Sequence, residues 1–115
     1  MQIEKAELGE SVTRLKLSGK LDIAGAAVVE IPISLCARGS RCVIVDMSDV
    51  TFVASLGVRH LIMAAKTLDQ HQGKLVLFAL DEPVMEVFTT MGITEIIDIV
   101  ASEQEALGLV AQEAT

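Results

Sequence analysis

A nearly continuous apolar run in the middle of the chain constrains the fold more than any other feature. Residues 41–47 read Arg-Cys-Val-Ile-Val-Asp-Met and are rich in β-branched side chains. Strands of this composition are typical of sheets that are covered on both faces. Apolar residues with helical spacing follow over residues 56–72 and occupy one side of that helix. Together the two segments predict a central strand and an amphipathic helix of a layered α/β protein.

The flanking segments continue this alternation. Residues 2–8 and 11–17 show period-two patterning on either side of a Gly-Glu pair, with one slip, which predicts a hairpin. Further strands are predicted over residues 75–80 and 96–100, and helices over 83–91 and 103–112. The fold class expected is therefore α/β, with a mixed β-sheet, an opening hairpin and about four α-helices.

The first helix is predicted over residues 24–37, ending before Gly39. The prediction rests on four apolar residues that recur at helical spacing: Ala27, Val28, Ile31 and Leu35. Pro32 lies inside this pattern and cannot donate a helix hydrogen bond. It predicts either a kink or a helix that begins again at Pro32.

Length and charge set limits on function. A chain of 115 residues with 51% apolar content can bury one core, so residues 1–115 are expected to form one domain. No apolar run approaches the roughly 18 residues that span a bilayer, and no leader pattern opens the sequence, which predicts a soluble cytoplasmic protein without membrane insertion. The net charge of −7, with nine scattered Lys and Arg residues, argues against nucleic acid as a partner.

Catalytic and cofactor motifs are not found in the sequence. His60 and His71 lack the spaced Cys, Asp or Glu residues of a metal site, and no Gly-rich phosphate loop occurs. No Gly-x-Ser-x-Gly elbow surrounds Ser55. Cys36 and Cys42 lie in apolar contexts and are expected to be reduced core thiols. We therefore expect a protein that is not an enzyme and has no cofactor or metal.

Ser55 stands where the extended segment ends and the second predicted helix begins. A helix N-terminus offers unpaired N–H groups and about half a positive charge, so it tolerates an anion, including a covalent phosphate. Ser55 is also open to a second interpretation, as a helix N-cap only. Asp46, Ser48 and Asp49 are expected in a turn, bonding nearby backbone, and Asp22 is expected to cap the first helix.

Five short runs, taken together, resemble the STAS domain of bacterial anti-sigma factor antagonists across almost the whole chain. They are residues 17–22 (Leu-Ser-Gly-Lys-Leu-Asp), 45–52 (Val-Asp-Met-Ser-Asp-Val-Thr-Phe), 55–57 (Ser-Leu-Gly), 73–77 (Gly-Lys-Leu-Val-Leu) and 91–93 (Met-Gly-Ile). The resemblance implies a single STAS domain that binds an anti-sigma factor, often a serine kinase, and so releases a sigma factor. It also implies that phosphorylation of one serine breaks the complex, and it places that serine at Ser55. Ala54 and Leu56 stand where the family often has an acid and a second hydroxyl.

The expected partner is an anti-sigma factor or serine kinase of the same organism. Its expected binding residues surround Ser55, the phosphorylation site, and are Asp22, Asp46, Ser48, Asp49, Leu56, Gly57, Arg59 and His60. An alternative keeps the fold and makes the chain a STAS-fold subunit of a transporter or signalling scaffold, without phosphorylation. A response-regulator receiver also has an acid after a buried strand, but its further acid pair and lysine are not evident. The sequence is silent on oligomeric state.

Overall fold

A computed structural model describes residues 1–9 and 11–114 of the chain, which form one mixed sheet with helices on both faces. The strands are β1 (Gln2–Glu7), β2 (Val12–Leu21), β3 (Cys42–Val53), β4 (Lys74–Phe78) and β5 (Asp98–Val100). The helices are α1 (Ile23–Gly39), α2 (Ser55–Gln70), α3 (Glu82–Thr90) and α4 (Glu103–Ala114), with a 3₁₀ turn at Ile93–Glu95. The strand order is β1-β2-β3-β4-β5. The first pair is antiparallel and the others are parallel, which confirms the predicted mixed sheet with an opening hairpin.

The slip in the hairpin pattern comes from Thr13. Its side chain points inward with Leu15 and Leu17, and only 4% of the residue is exposed. The Thr13 hydroxyl is hydrogen-bonded to the hydroxyl of Ser40, so the polar group is satisfied inside the protein. Val12 takes an outward position instead and packs at the edge of the cluster on the other face. The strict alternation is therefore kept, with a threonine in an apolar position.

Strand β3 is buried on both faces, as the sequence predicted. Val43, Val45 and Met47 join the larger core, which lies between the sheet and α1, α2 and α3. Cys42 and Ile44 join a smaller core beneath α4. The strand thus holds two cores together in the middle of the sheet.

The expected turn at Asp46, Ser48 and Asp49 is wrong. Strand β3 continues without interruption to Val53, and two shifts in its register with β2 absorb the extra residues. These shifts are β-bulges, which insert residues while keeping the strands paired. The local bond expected of Asp46 is present, because its Oδ1 accepts from the Ser48 N–H at 2.9 Å.

The apolar spacing that predicted α1 lies on the exposed side of the helix. The four residues that carry it, Ala27, Val28, Ile31 and Leu35, are exposed, whereas Ala26, Val29, Ile33, Cys36 and Ala37 are buried. Both sides of α1 are apolar, so periodicity alone could not choose between them. The side that carries Gly25 is buried because the helix approaches the end of β2 closely there. A Cβ added at Gly25 would lie only 2.2 Å from the Lys20 carbonyl oxygen. The helix runs unbroken through Pro32, so a new helix starting there is wrong, and a kink stays a prediction.

Candidate functional site

Ser55 is the first residue of α2, and only Ala54 separates it from the end of β3. Ala54 has extended backbone dihedrals, φ −106° and ψ 162°, and its carbonyl accepts the first helical bond from the Val58 N–H at 3.2 Å. Ala54 is therefore the N-cap, and the interpretation of Ser55 as the cap is wrong. Alanine has no side-chain oxygen, so the N–H groups of the first turn of α2 have no side-chain cap.

The Ser55 side chain is exposed, and its hydroxyl forms no hydrogen bond with any of the described residues. The Ser55 side chain therefore does not stabilise the first turn of α2 by a hydrogen bond. The hydroxyl is accessible, and it lies beside N–H groups that favour an anion. This is the local geometry that the phosphorylation hypothesis requires.

The start of α1 lies next to the start of α2. The Ala54 N–H donates to the Leu21 carbonyl at 2.9 Å, which ties the ends of β2 and β3 together. Asp22 then caps α1, because its Oδ1 accepts from the Gly25 N–H at 2.8 Å, as the sequence predicted. The site therefore combines one capped helix end with one uncapped helix end.

Gly57 holds the first turn of α2 close to β2. It is buried, and a Cβ added there would lie 2.4 Å from Leu21 Cγ and 2.8 Å from Leu21 Cδ2. Leu56 beside it is half-buried. Gly57 therefore contributes by letting α2 approach β2, which sets the position of Ser55, rather than by presenting a side chain.

Three exposed side chains that a partner can reach accompany Ser55 at this end of the sheet. Arg59 is exposed and lies one helical turn after Ser55, on the same side of α2. Phe52 is 50% exposed near the end of β3, and Ile23 is 73% exposed at the start of α1. Sequence reasoning missed Phe52 and Ile23, although an aromatic residue next to the serine turn, in a chain with three Phe, was an available signal.

The structure does not bring every predicted site residue to Ser55. Asp46 lies seven residues before the end of β3, on the order of 20 Å away along the strand at about 3.3 Å per residue. Ser48 is bonded to Asp46 and lies with it. Asp49 lies between these positions and pairs with Lys16, with Oδ2 and Nζ 3.3 Å apart.

Asp46 and His60 line two other depressions. Asp46 lies with Glu4, Arg14 and Lys16 in a polar cavity of about 460 Å³, on the part of the sheet that α4 leaves open. His60 faces a groove of about 120 Å³ between α1 and α2, opposite Glu30. Of the predicted residues, the structure thus groups Asp22, Leu56, Gly57 and Arg59 with Ser55.

Neither a metal site nor a membrane span is found within residues 1–9 and 11–114. No three His, Cys, Asp or Glu residues in this part of the chain could hold a metal ion together. No helix there is long and apolar enough to cross a bilayer. The pKa of the Cys36 thiol is raised above its ordinary value by burial, with a smaller opposite effect from Lys5, so this thiol is a poor nucleophile.

The model of the STAS domain family matches residues 5–106. The chain belongs to the STAS domain family. BtrV of Bordetella bronchiseptica, named for a proposed role as anti-sigma factor antagonist, is 33% identical over 91 residues, which cover 78% of each protein. The anti-sigma-B factor antagonist of Listeria monocytogenes is 34% identical over 64 residues, which cover 56% of each protein.

Solved structures show the same fold. The unphosphorylated anti-sigma factor antagonist SpoIIAA matches with a TM-score of 0.82 and 20% identity, over 96% of this chain and 97% of that one. SpoIIAA of Bacillus in its phosphorylated form matches with a TM-score of 0.73 and 20% identity, over 95% of this chain and 99% of that one. A murine Slc26a9 anion transporter matches with a TM-score of 0.75 and 17% identity, over 93% of this chain and 19% of that one.

Proposed function

We propose that this STAS domain is an anti-sigma factor antagonist that is switched off by phosphorylation of Ser55. It binds an anti-sigma factor of the same organism, a serine kinase, and thereby releases a sigma factor in the cytoplasm. The observation that carries the proposal is the exposed, unpartnered hydroxyl of Ser55 at an uncapped helix N-terminus. The names of the similar BtrV, Listeria and SpoIIAA proteins support the same role.

The chain itself acts by binding, and the kinase supplies the catalysis. A kinase transfers the γ-phosphoryl group of ATP to Ser55 Oγ, the serine proton leaves, and ADP is the second product. The product is a phosphate with a charge of about −1.5 to −2 on the first turn of α2. Helix N–H groups and the nearby Arg59 stabilise that charge locally, so we expect the fold to persist after phosphorylation.

Binding is weakened because the same phosphate must enter an interface. A partner that covers Ser55 also covers the exposed apolar side chains of Phe52 and Ile23, so the phosphate loses water there. Burying an unpaired ion is costly, and about 1.4 kcal/mol already corresponds to tenfold in affinity. We therefore expect phosphorylation to weaken the complex by at least about tenfold.

The experiment begins with candidate serine kinases from the genome that encodes this chain. Each is incubated with the protein and ATP, and phosphosites are mapped by mass spectrometry. Affinity for the kinase that phosphorylates the chain is then measured for wild type, the phosphorylated form, Ser55→Ala and Ser55→Asp. Ser55→Asp should bind poorly, whereas Ser55→Ala should bind persistently even with ATP present.

Thr94→Asp is the matched control. Thr94 is exposed in the 3₁₀ turn before β5, at the edge of the sheet opposite to Ser55, and the substitution adds the same charge. It should leave the affinity unchanged. Equal losses for Ser55→Asp and Thr94→Asp would show a general charge effect, and unchanged affinity on phosphorylation would refute the switch.

The alternative is a STAS-fold subunit of a transporter or signalling scaffold that binds without phosphorylation. Ala54 and Leu56 beside Ser55 favour it, since the acid and second hydroxyl often found in antagonists are replaced. The same experiment separates the two proposals. A partner that is neither a kinase nor an anti-sigma factor, recovered together with an unmodified Ser55, would support the alternative.

A further inference from the structure

The outer side of α1 carries more of the exposed large apolar side chains than any other described element. Four of the eight large apolar side chains that are exposed among the described residues lie on this helix, at Ile23, Val28, Ile31 and Leu35. Ile31 is 67% exposed and Leu35 is 58% exposed. Single exposed apolar residues are ordinary, but a cluster on one helix marks an interaction surface.

These side chains form a regular row. Ile23, Ala27, Ile31 and Leu35 follow one another at intervals of four residues, which places them on one i±4 ridge of the helix. Ridges of this kind interdigitate when two helices pack, and this is the commonest packing in globular proteins. Ala27 is a small residue in the row and permits close approach.

We propose that two copies of this chain associate through the outer face of α1, around a two-fold axis near Ser34. The charges of the helix select this occupant. The whole chain has a net charge of −7, yet α1 contains only Glu30 and Arg38, which balance each other. A basic partner that recognises an acidic protein would meet no excess of acidic residues on this face. A second copy of the chain, in contrast, offers an Arg38 for Glu30 and a Glu30 for Arg38.

Glu30, Ser34 and Arg38 form a polar row beside the apolar one, again at intervals of four residues. Arg38 is folded back along this row, because its Nη2 donates to Ser34 Oγ at 3.4 Å. Ser34 is equidistant in sequence from the two charges. A two-fold axis at Ser34 therefore places Glu30 of each copy against Arg38 of the other, giving two ion pairs beside the apolar contact of Ile31 and Leu35.

The proposed dimer leaves the Ser55 site open. Ser34 lies eleven residues after Ile23, which at about 1.5 Å per residue puts the axis on the order of 16 Å from the end of α1 that borders Ser55. One helix face is a small contact area, so the dimer is expected to be weak and to depend on protein concentration. Of the row, only Ile23 also belongs to the proposed partner site, and the contact around Ser34 does not rest on the proposed function.

Sedimentation equilibrium on the full chain, from micromolar to millimolar concentration, tests the apolar contact. Wild type should pass from monomer to dimer within this range. Ile31→Glu should remain monomeric, and Ile96→Glu is its matched control, because Ile96 is 54% exposed after the 3₁₀ turn that precedes β5, at the far edge of the sheet from α1. Both sites are exposed, so both variants should fold, which circular dichroism and urea denaturation would verify.

Charge reversal tests the two-fold arrangement. Glu30→Arg or Arg38→Glu alone turns two attractive contacts into two repulsive ones and should weaken self-association by about tenfold. The double variant should restore the wild-type dissociation constant. A monomeric wild type, equal effects of Ile31→Glu and Ile96→Glu, or a double variant without recovery would each overturn the proposal. Loss of binding to a different protein in Ile31→Glu, with a monomeric wild type, would assign the row to that partner instead.

Discussion

Replacing Gly57 with alanine tests the packing that positions Ser55. The new Cβ would lie 2.4 Å from Leu21 Cγ, and Leu21 has no exposed surface, so its side chain cannot move into solvent. Overpacking of this kind costs about 1–3 kcal/mol. Alanine is the better helix former, but the gain is at most about 1 kcal/mol and is smaller near a helix end. We expect the free energy of unfolding to fall by about 1–2 kcal/mol.

Gly108→Ala in α4 is the matched control, because a Cβ there would have no heavy atom within 4 Å. It should leave the free energy of unfolding unchanged or raise it by up to about 1 kcal/mol. Urea denaturation, followed by circular dichroism, measures both variants under the same conditions. Gly57→Ala as stable as wild type would refute the close contact.

A double-mutant cycle with Leu21→Ala locates the clash. Leu21→Ala alone should cost about 2–5 kcal/mol, as expected for a buried leucine. It also removes the atoms that an alanine at position 57 would meet. Gly57→Ala should therefore cost nothing in the Leu21→Ala background. An equal cost in both backgrounds would show that the loss arises elsewhere.

Two further predictions concern the cores. Ile44 has no exposed surface, so Ile44→Ala should lower the free energy of unfolding by about 2–5 kcal/mol. Lys66 is exposed, so Lys66→Ala should lower it far less. Equal urea midpoints for the two variants would contradict the burial of β3 on both faces. Burial raises the pKa of the Cys36 thiol, so the folded protein still holds this proton at a pH where the unfolded chain has begun to release it. The protein therefore loses stability as the pH rises above 9.0, the ordinary pKa of a thiol. The free energy of unfolding should thus decline more steeply with alkaline pH in wild type than in Cys36→Ala, and parallel pH profiles would argue against a buried thiol.

The sequence predicted those elements whose patterns allow one solution. The run at Val43, Ile44 and Val45 is apolar at every position, so a strand covered on both faces was the natural interpretation. Helix α2 has one apolar side, and its buried residues Val58 and Leu61 were predicted correctly. The same periodicity rule failed where more than one solution existed.

Helix α1 shows that failure clearly. Its apolar residues occupy two sides, and the spacing that predicted the helix, which includes Ile31 and Leu35, turned out to lie on the exposed side. The sheet instead accepted the side with Gly25, Ala26 and Ala37, because small residues allow the helix to approach β2 and β3 closely. Only three-dimensional contact could reveal this preference. The exposed apolar residues whose spacing predicted the helix include those that form the proposed interface between two copies.

The candidate site was predictable at its centre and not at its margins. Ser55 stood out because a strand pattern ends and a helix pattern begins there. Asp46 and His60 were grouped with Ser55 because they are near it in the sequence. The sequence did not show that β3 continues without a break between Asp46 and Ser55, nor that His60 lies on the side of α2 that faces α1. Phe52 was missed because an apolar residue near a strand end is normally assigned to the core.

The arrangement of charges also indicates where the free energy of a phosphorylation switch would arise. Near Ser55, Asp22 is engaged as a helix cap and Arg59 is one turn away, whereas Asp49 lies farther back along β3 and is paired with Lys16. A phosphate on Ser55 would therefore meet little uncompensated negative charge from its own chain, and the uncapped N-terminus of α2 would stabilise it. The penalty must then come from the complex, where a partner removes water from the phosphate. If the cost arises on covering the site, we expect the free phosphorylated protein to keep its fold, and we expect the size of the switch to depend on how completely the partner surface encloses Ser55.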